Sequence, residues 1–291
     1  MTEKQRGRSG SRTGCYEPSP VSAVHATAGQ DSCVGRIGRG ARGLLVTLTV
    51  CACLPAGVHA TPSVGLHVAL TPGRLGRPTA VDIDIQIATP PVPPPLSTLA
   101  ILYPSQLGFT SGELGLEACS QSELEAHGPA GCPVNSRMGT GSARVQAPFA
   151  SGTVSETGKL AVIRGPELEE HTQLLFYVED SGPIAGQLAF SSVLLAASAP
   201  YEQIHLAVPA IPSIPEAPDI ALVSLHVTLD PTGLRYYERS HGRRVAYHPT
   251  GVILPHRCPR GGFPFGVQLS FVGGGHADAR TDVACAAPRR R

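Results

Sequence analysis

The feature that most constrains the fold is an alternation of apolar and polar side chains with a period of two residues. In segment 81–87, valine and isoleucine at the odd positions alternate with Asp82, Asp84 and Gln86. A strand with one buried face has this period, because successive side chains point to opposite faces of a sheet. Three more segments alternate in the same way: 203–208, 222–229 and 265–271. The sequence therefore predicts a chain rich in half-buried β-strands.

Turn-forming residues separate the predicted strands. Glycine and proline account for 33 and 28 of the 291 residues, well above their usual share, and they cluster between the apolar runs. Further predicted strands are 64–70, 100–103, 143–147, 160–164, 173–178, 187–196 and 245–247. Many short strands at such spacing predict an all-β fold, an antiparallel β-sandwich. One short helix is predicted near Gly115–Ala126, where Leu116, Cys119 and Leu124 share a face.

A predicted export signal precedes these strands. Arg36, Arg39 and Arg42 come before the apolar run 44–54, and a segment of small residues then ends at Ala60. This order is typical of a cleavable signal peptide, and the run is too short for a permanent transmembrane helix. The alternative, a buried core segment, does not explain why the arginines stand on one side only. We therefore expect a secreted or cell-surface protein with a signal peptide at 34–60.

The rest of the chain divides around that signal. Residues 1–33 are polar, without periodicity, and are predicted to be a disordered extension; the natural start is then Val34, read from an alternative start codon. Cys53 in a lipobox-like context is an alternative site for lipid anchoring. Residues 61–288 form the exported domain, either a single sandwich or two lobes divided at the proline-rich segment 209–218.

The cysteines fit an oxidising compartment. Cleavage after Ala60 leaves four of them, Cys119, Cys132, Cys258 and Cys285. An even number in an exported chain predicts two disulfides with three pairings open, of which proximity favours 119–132 and 258–285. A zinc site is the alternative, but the mature chain has no Cys-x-x-Cys or His-x-x-x-His spacing.

Charge argues against a nucleic-acid partner. Residues 1–60 contain seven Lys and Arg and three Asp and Glu, which leaves 16 basic and 19 acidic residues in 61–291. The mature chain has a net charge of −3 and no basic stripe in its sequence that would neutralise a phosphate backbone, so nucleic acid is not an expected partner.

No catalytic or cofactor motif stands out. Ser142 follows two glycines but lacks the Gly-x-Ser-x-Gly context of a hydrolase nucleophile, so an enzyme would need a dispersed active site. His205 and His226 occupy polar positions on predicted strands and are candidate metal ligands. Asp82 and Asp84 share one strand face and are candidate calcium ligands. Solvated strand faces explain all four more simply, so no metal, cofactor or catalytic residue is assigned.

The densest cluster of aromatic and basic residues lies at 235–247. Tyrosine and arginine are residue types that are enriched at binding hot spots. The predicted ligand surface consists of Tyr236, Tyr237, Arg239, Arg243 and Tyr247. The simpler interpretation is a hairpin turning at 240–242, with packed tyrosines and exposed arginines. We expect a non-catalytic binding or structural protein whose partner is a cell-surface protein or a glycan. The alternatives are an extracellular hydrolase and a carbohydrate-binding module that uses this cluster.

Three passages resemble a group of secreted actinobacterial proteins of unknown function. The first passage combines 102–108, 116–119 and 132–136. The second is 208–219 followed by 222–229, and the third is 255–271 together with Cys285. The resemblance implies an Ig-like β-sandwich and the two local cysteine pairings, and it brings no activity. At Tyr103 and Pro104 the chain departs from the group, which has Pro-x-Gly there.

Overall fold

The alternating segments of the sequence form antiparallel β-strands, and strands make up most of the described part of the chain. A computed structural model describes residues 62–88, 92–109, 117–149, 151–180, 182, 186–208, 220–230, 236–247 and 251–286. The first strands are β1 (Ser63–Thr71), β2 (Pro78–Ala88), β3 (Leu96–Pro104), β4 (Gly108–Phe109), β5 (Arg137–Phe149), β6 (Gly152–Arg164), β7 (Gln173–Asp180) and β8 (Gly186–Ala196). They are followed by β9 (Tyr201–Ala207), β10 (Ala221–Leu229), β11 (Tyr236–Ser240), β12 (Arg243–Tyr247), β13 (Val252–Ile253), β14 (Phe263–Phe271) and β15 (His276–Val283).

Thirteen of these strands form one antiparallel sheet. Its order is β15-β14-β3-β9-β8-β7-β6-β5-β10-β2-β13-β4, with β1 also paired to β2. The sheet is nearly closed, because β1 contacts β15 at the opposite end of the strand order. The all-β, antiparallel prediction is confirmed.

The interior of this sheet holds the main hydrophobic core. In β2, Val81, Ile83, Ile85 and Ile87 are buried, while the polar residues between them lie on the outer face, as the alternation predicts. Strands on both sides of segment 209–218 contribute to the same sheet and the same core. That segment itself lies outside the described residues, and a division into two lobes stays a prediction.

A second, smaller core lies on the outer face of β6, β7 and β8. Helix α1 (Gln121–His127) covers it, and Leu124 from the helix packs with Ile163 and Leu175. The helix begins later than the predicted Gly115 because Ser120 is its N-cap: the Ser120 hydroxyl accepts a hydrogen bond from the Glu123 N–H at 3.1 Å. Residues 110–116 lie outside the described part of the chain.

Both disulfides have the predicted pairing. Cys119 and Cys132 are bonded across a separation of 13 residues and flank α1. Cys258 and Cys285 are bonded across 27 residues and join the loop before β14 to the segment after β15. Two disulfides are compatible with an extracellular location.

The predicted extension 1–33, the signal peptide 34–60 and Cys53 lie outside the described residues and stay predictions. Two short 3₁₀-helices, Gly128–Ala130 and Val134–Ser136, follow α1. Among the residues that are described, no helix combines the length and the apolar character that crossing a bilayer requires.

Candidate functional site

The predicted ligand surface folds as a two-stranded hairpin apart from the main sheet. We call residues 236–247, strands β11 and β12 with their turn, the Arg/Tyr hairpin. His241 and Gly242 form the turn, and both have positive φ, 49° and 76°. Positive φ at both central residues matches the right-handed twist of a tight hairpin, and glycine adopts it at little cost.

The strand register brings Tyr237, Arg239 and Arg244 to one face of the hairpin. Arg239 and Arg244 are directly opposite each other, and Tyr237 lies two residues from Arg239 on the same strand. The guanidinium carbon of Arg244 lies 4.1 Å from the centroid of the Tyr237 ring. This is a cation–π contact between diagonal neighbours. Both arginines are exposed, and Tyr237 keeps 46% of its surface accessible.

This face has the chemistry of an anion-binding surface. Stacking on Tyr237 holds the Arg244 guanidinium plane in place and leaves donors along its edge for oxygen atoms. Like charges directly opposite each other in a sheet are destabilising. A carboxylate or sulfate placed between Arg239 and Arg244 would reduce that repulsion and would accept hydrogen bonds from both guanidinium groups.

The structure splits the five predicted surface residues between two sets of alternating positions. Tyr237 and Arg239 lie on the same face of the hairpin as Arg244. Tyr236, Arg243 and Tyr247 belong to the other set: Tyr236 pairs with Tyr247 at the open end, and Arg243 pairs with Ser240 beside the turn. Composition found the cluster, but only the register selects Arg244, outside the five, as the partner of Tyr237.

A second candidate region is a line of polar residues across the outer face of the main sheet. We call His67, Asp84, His226 and Ser142 the polar row; they lie on β1, β2, β10 and β5, each directly opposite the next. His226 Nδ1 lies 3.8 Å from Asp84 Oδ2, and the Gln86 amide donates a hydrogen bond to Asp84 Oδ1 at 2.9 Å.

The polar row aligns an acid, an imidazole and a hydroxyl but lacks the other parts of a hydrolase site. The 3.8 Å separation of Asp84 and His226 is longer than a hydrogen bond. Among the described residues, no hydrogen bond joins Ser142 to His226. The strands around the row hydrogen-bond to one another, so their N–H groups are not arranged as an oxyanion hole.

Other sequence hypotheses about chemistry find little support. His205 and His226 are not brought together, because four strands separate β9 from β10 in the sheet. Asp82 accepts a hydrogen bond from the Thr228 hydroxyl at 2.7 Å, as part of the polar outer face. Within the described ranges, no three His, Cys, Asp or Glu side chains are gathered around one point as they stand. A surface depression lined by Gln106 and residues 255–259 is wide open and has no carboxylate in its lining.

A buried tyrosine contacts a partly buried glutamate at the end of β3 and β9. The Tyr103 hydroxyl donates a hydrogen bond to Glu202 Oε2 at 2.9 Å, and Tyr103 is 3% exposed. Burial, followed by the hydrogen bond to Glu202 and its charge, raises the pKa of Tyr103 well above its usual value. The hydrogen bond satisfies a phenol that is buried in the main core.

Comparison of the chain with protein-family models, with curated proteins and with solved structures found no match. The geometry of the Arg/Tyr hairpin and of the polar row is therefore the basis for the functional conclusions.

Proposed function

We propose that the chain is an exported, non-catalytic protein that acts at or outside the cell surface by binding an acidic glycan through the Arg/Tyr hairpin. The observation that carries the proposal is the pairing of two exposed arginines, Arg239 and Arg244, directly opposite each other and beside an exposed tyrosine. The like charges of the two arginines repel each other across the hairpin, and a bound anion reduces that repulsion.

Acidic sugars fit this surface better than neutral ones. A neutral sugar ring binds by stacking on an open aromatic face, and Arg244 already covers one face of Tyr237. A carboxylate or sulfate on a sugar instead meets the guanidinium edges, where paired N–H donors match two oxygens. The carbohydrate-binding alternative is thereby narrowed to glycans that carry negative charge.

The exported location is supported by the signal-like segment before residue 61 and by the two disulfides, which persist in oxidising compartments. The proposal retains the Ig-like sandwich and the resemblance to secreted actinobacterial proteins. The antiparallel sheet and the local cysteine pairings are compatible with both.

The test is titration calorimetry of the purified chain with a polyuronate, a sulfated polysaccharide and a neutral polysaccharide of similar length. We expect binding to the acidic polymers only, weakened by added salt. Replacing Arg239 and Arg244 together by alanine should lower the affinity at least tenfold. Arg280→Ala is the matched control, because Arg280 is also an exposed strand arginine but lies on β15. Equal binding of neutral and acidic polymers, or equal losses in both variants, contradicts the proposal.

The hydrolase alternative has one specific observation in its favour, the alignment of Asp84, His226 and Ser142. An assay with activated ester and glycoside substrates tests it. We expect no turnover above that of the Ser142→Ala variant. Turnover that disappears in Ser142→Ala would show that the chain is an enzyme and would overturn the non-catalytic proposal.

A further inference from the structure

We propose that His67, Asp84 and His226 bind a divalent transition-metal ion, with Zn²⁺ the ion to test, on the outer face of the main sheet. The three residues lie in one line across three adjacent strands, with the carboxylate between the two imidazoles. The site is independent of the Arg/Tyr hairpin and of glycan binding.

The backbone already places the three residues at metal-binding spacing. Asp84 pairs directly with His67 on one side and with His226 on the other, so all three side chains leave the same face. Directly opposed residues have Cα atoms about 5 Å apart, so each imidazole has to lean across only one strand spacing to reach an ion above Asp84. The ladders on both sides of β2 fix these backbone positions. The three side chains do not converge in the structure, so the imidazoles have to rotate toward Asp84 for the site to form.

Two of the three ligands are close to the required geometry. Two donor atoms bound to one tetrahedral Zn²⁺ at about 2.0–2.1 Å lie about 3.3 Å from each other. His226 Nδ1 and Asp84 Oδ2 are 3.8 Å apart, so they approach this separation with a shift of a few tenths of an ångström. The third ligand, His67, is exposed, which leaves its ring room to turn toward Asp84.

Asp84 also accepts a hydrogen bond from a neighbouring side chain, as metal-bound carboxylates commonly do. The Gln86 amide donates to Oδ1 at 2.9 Å and leaves Oδ2 facing the imidazole of His226. Such hydrogen bonds orient a ligand and are typical around metal sites. Asp84 therefore has one oxygen hydrogen-bonded to Gln86 and the other nearer to the imidazole of His226.

The ligand set identifies the class of ion. Two neutral imidazoles and one carboxylate suit Zn²⁺ and its first-row neighbours, whereas Ca²⁺ and Mg²⁺ require oxygen ligands. Three protein ligands leave one position of a tetrahedral ion for water. The ion would join β1 to β2 and β10. Binding should therefore stabilise the sheet at β1, which pairs with β2 alone among the described strands.

The experiment titrates Zn²⁺ into the tag-free full chain, with free thiols alkylated so that Cys15, Cys33, Cys51 and Cys53 cannot bind the metal. We expect one ion per chain with a micromolar Kd by calorimetry. Zn²⁺ should also raise the melting temperature, and EDTA should reverse the rise. Binding no tighter than about 1 mM in the unsubstituted chain overturns the proposal.

Three variants test the ligands: His67→Gln, Asp84→Asn and His226→Gln. Each replaces a ligand by a polar side chain of similar size, so each should fold with an unchanged melting temperature in EDTA. Each should lose at least tenfold in Zn²⁺ affinity and most of the Zn²⁺-dependent rise in melting temperature. His171→Gln, at an exposed histidine between β6 and β7, is the control and should bind as the unsubstituted chain does. If the three row variants bind Zn²⁺ as tightly as this control, the ion binds elsewhere and the proposed site is wrong.

Discussion

The main sheet and the Arg/Tyr hairpin are both built from antiparallel strand pairs, but they differ in how far their side chains are buried. In the main sheet one set of alternating residues is buried in a shared core, as Phe263 and Ile85 are with none of their surface exposed. In the hairpin both sets contribute exposed side chains, including Tyr237 at 46% and Val245 at 47%. The main sheet is therefore stabilised by apolar burial, whereas the hairpin residues contribute little to stability and are available for a ligand.

Truncating a buried and an exposed aromatic residue tests this comparison most strongly. Phe263→Ala removes a fully buried ring from the main core and should lower the free energy of unfolding by about 3–5 kcal/mol. Tyr237→Ala should lower it by less than about 1 kcal/mol, because its ring is half exposed. Urea unfolding measures both. Similar losses would mean that the hairpin is part of the cooperative core.

Removing each disulfide tests how far the main sheet depends on cross-links that the hairpin lacks. The chain-entropy relation gives about 3.5 kcal/mol for the loop closed by Cys258 and Cys285, and about 3 kcal/mol for the one closed by Cys119 and Cys132. Double alanine variants of each pair should show losses in that order in urea unfolding. A larger loss for the 119–132 pair would indicate that its cysteines matter mainly through packing in the smaller core.

Two glycines should respond differently to replacement by alanine. A Cβ at Gly141 meets the backbone oxygen of His226, so Gly141→Ala forces β5 and β10 apart and should cost about 3 kcal/mol. A Cβ at Gly242 meets open space, and only its positive φ opposes the change, at about 1 kcal/mol. Thermal unfolding measures the loss of stability in each variant and shows which of the two is larger. A costlier Gly242→Ala would show that the turn limits the stability of the whole molecule.

The smallest expected effect concerns Tyr103 at alkaline pH. Its pKa is higher in the folded chain than the ordinary value of 10.0, so the folded state retains a proton that the unfolded state releases. The stabilisation from this group is complete below about pH 10 and decreases as pH rises from there toward the folded pKa. Tyr103→Phe should cost about 1 kcal/mol at neutral pH and should unfold with a weaker pH dependence above about pH 10. Urea unfolding between about pH 8 and pH 11 compares the two chains, and parallel profiles would contradict the assignment.

The sequence is sufficient to predict most strands because each carries its own alternation. Segment 81–87 is a strand with the predicted inner and outer faces, and so is 222–229 apart from an irregularity in its pairing with β5 between Leu222 and Ser224. The helix boundary was harder to predict, since it depends on the cap at Ser120 and not on the apolar positions 116, 119 and 124. Local signals thus predict elements better than their ends.

The candidate sites were less predictable because they depend on register between distant strands. His67 and His226 are 159 positions apart in the sequence, and no periodicity indicates that both pair with Asp84. His205 and His226 look equivalent in the sequence, yet the strand order separates them. Within the hairpin, where the partners are close in sequence, composition identified the cluster and missed only which residues share a face.

The contact between β1 and β15 has a consequence for how copies of the chain behave at high concentration. An open sheet edge can recruit a strand from a neighbouring molecule, which starts aggregation. Here each of these two strands obstructs the approach to the other, and β15 also presents Asp278, Arg280 and Asp282 on its outward positions. A neighbour can add to this seam only after the sheet has opened there, so strand addition at this place should increase with the fraction of molecules in which β1 and β15 have separated.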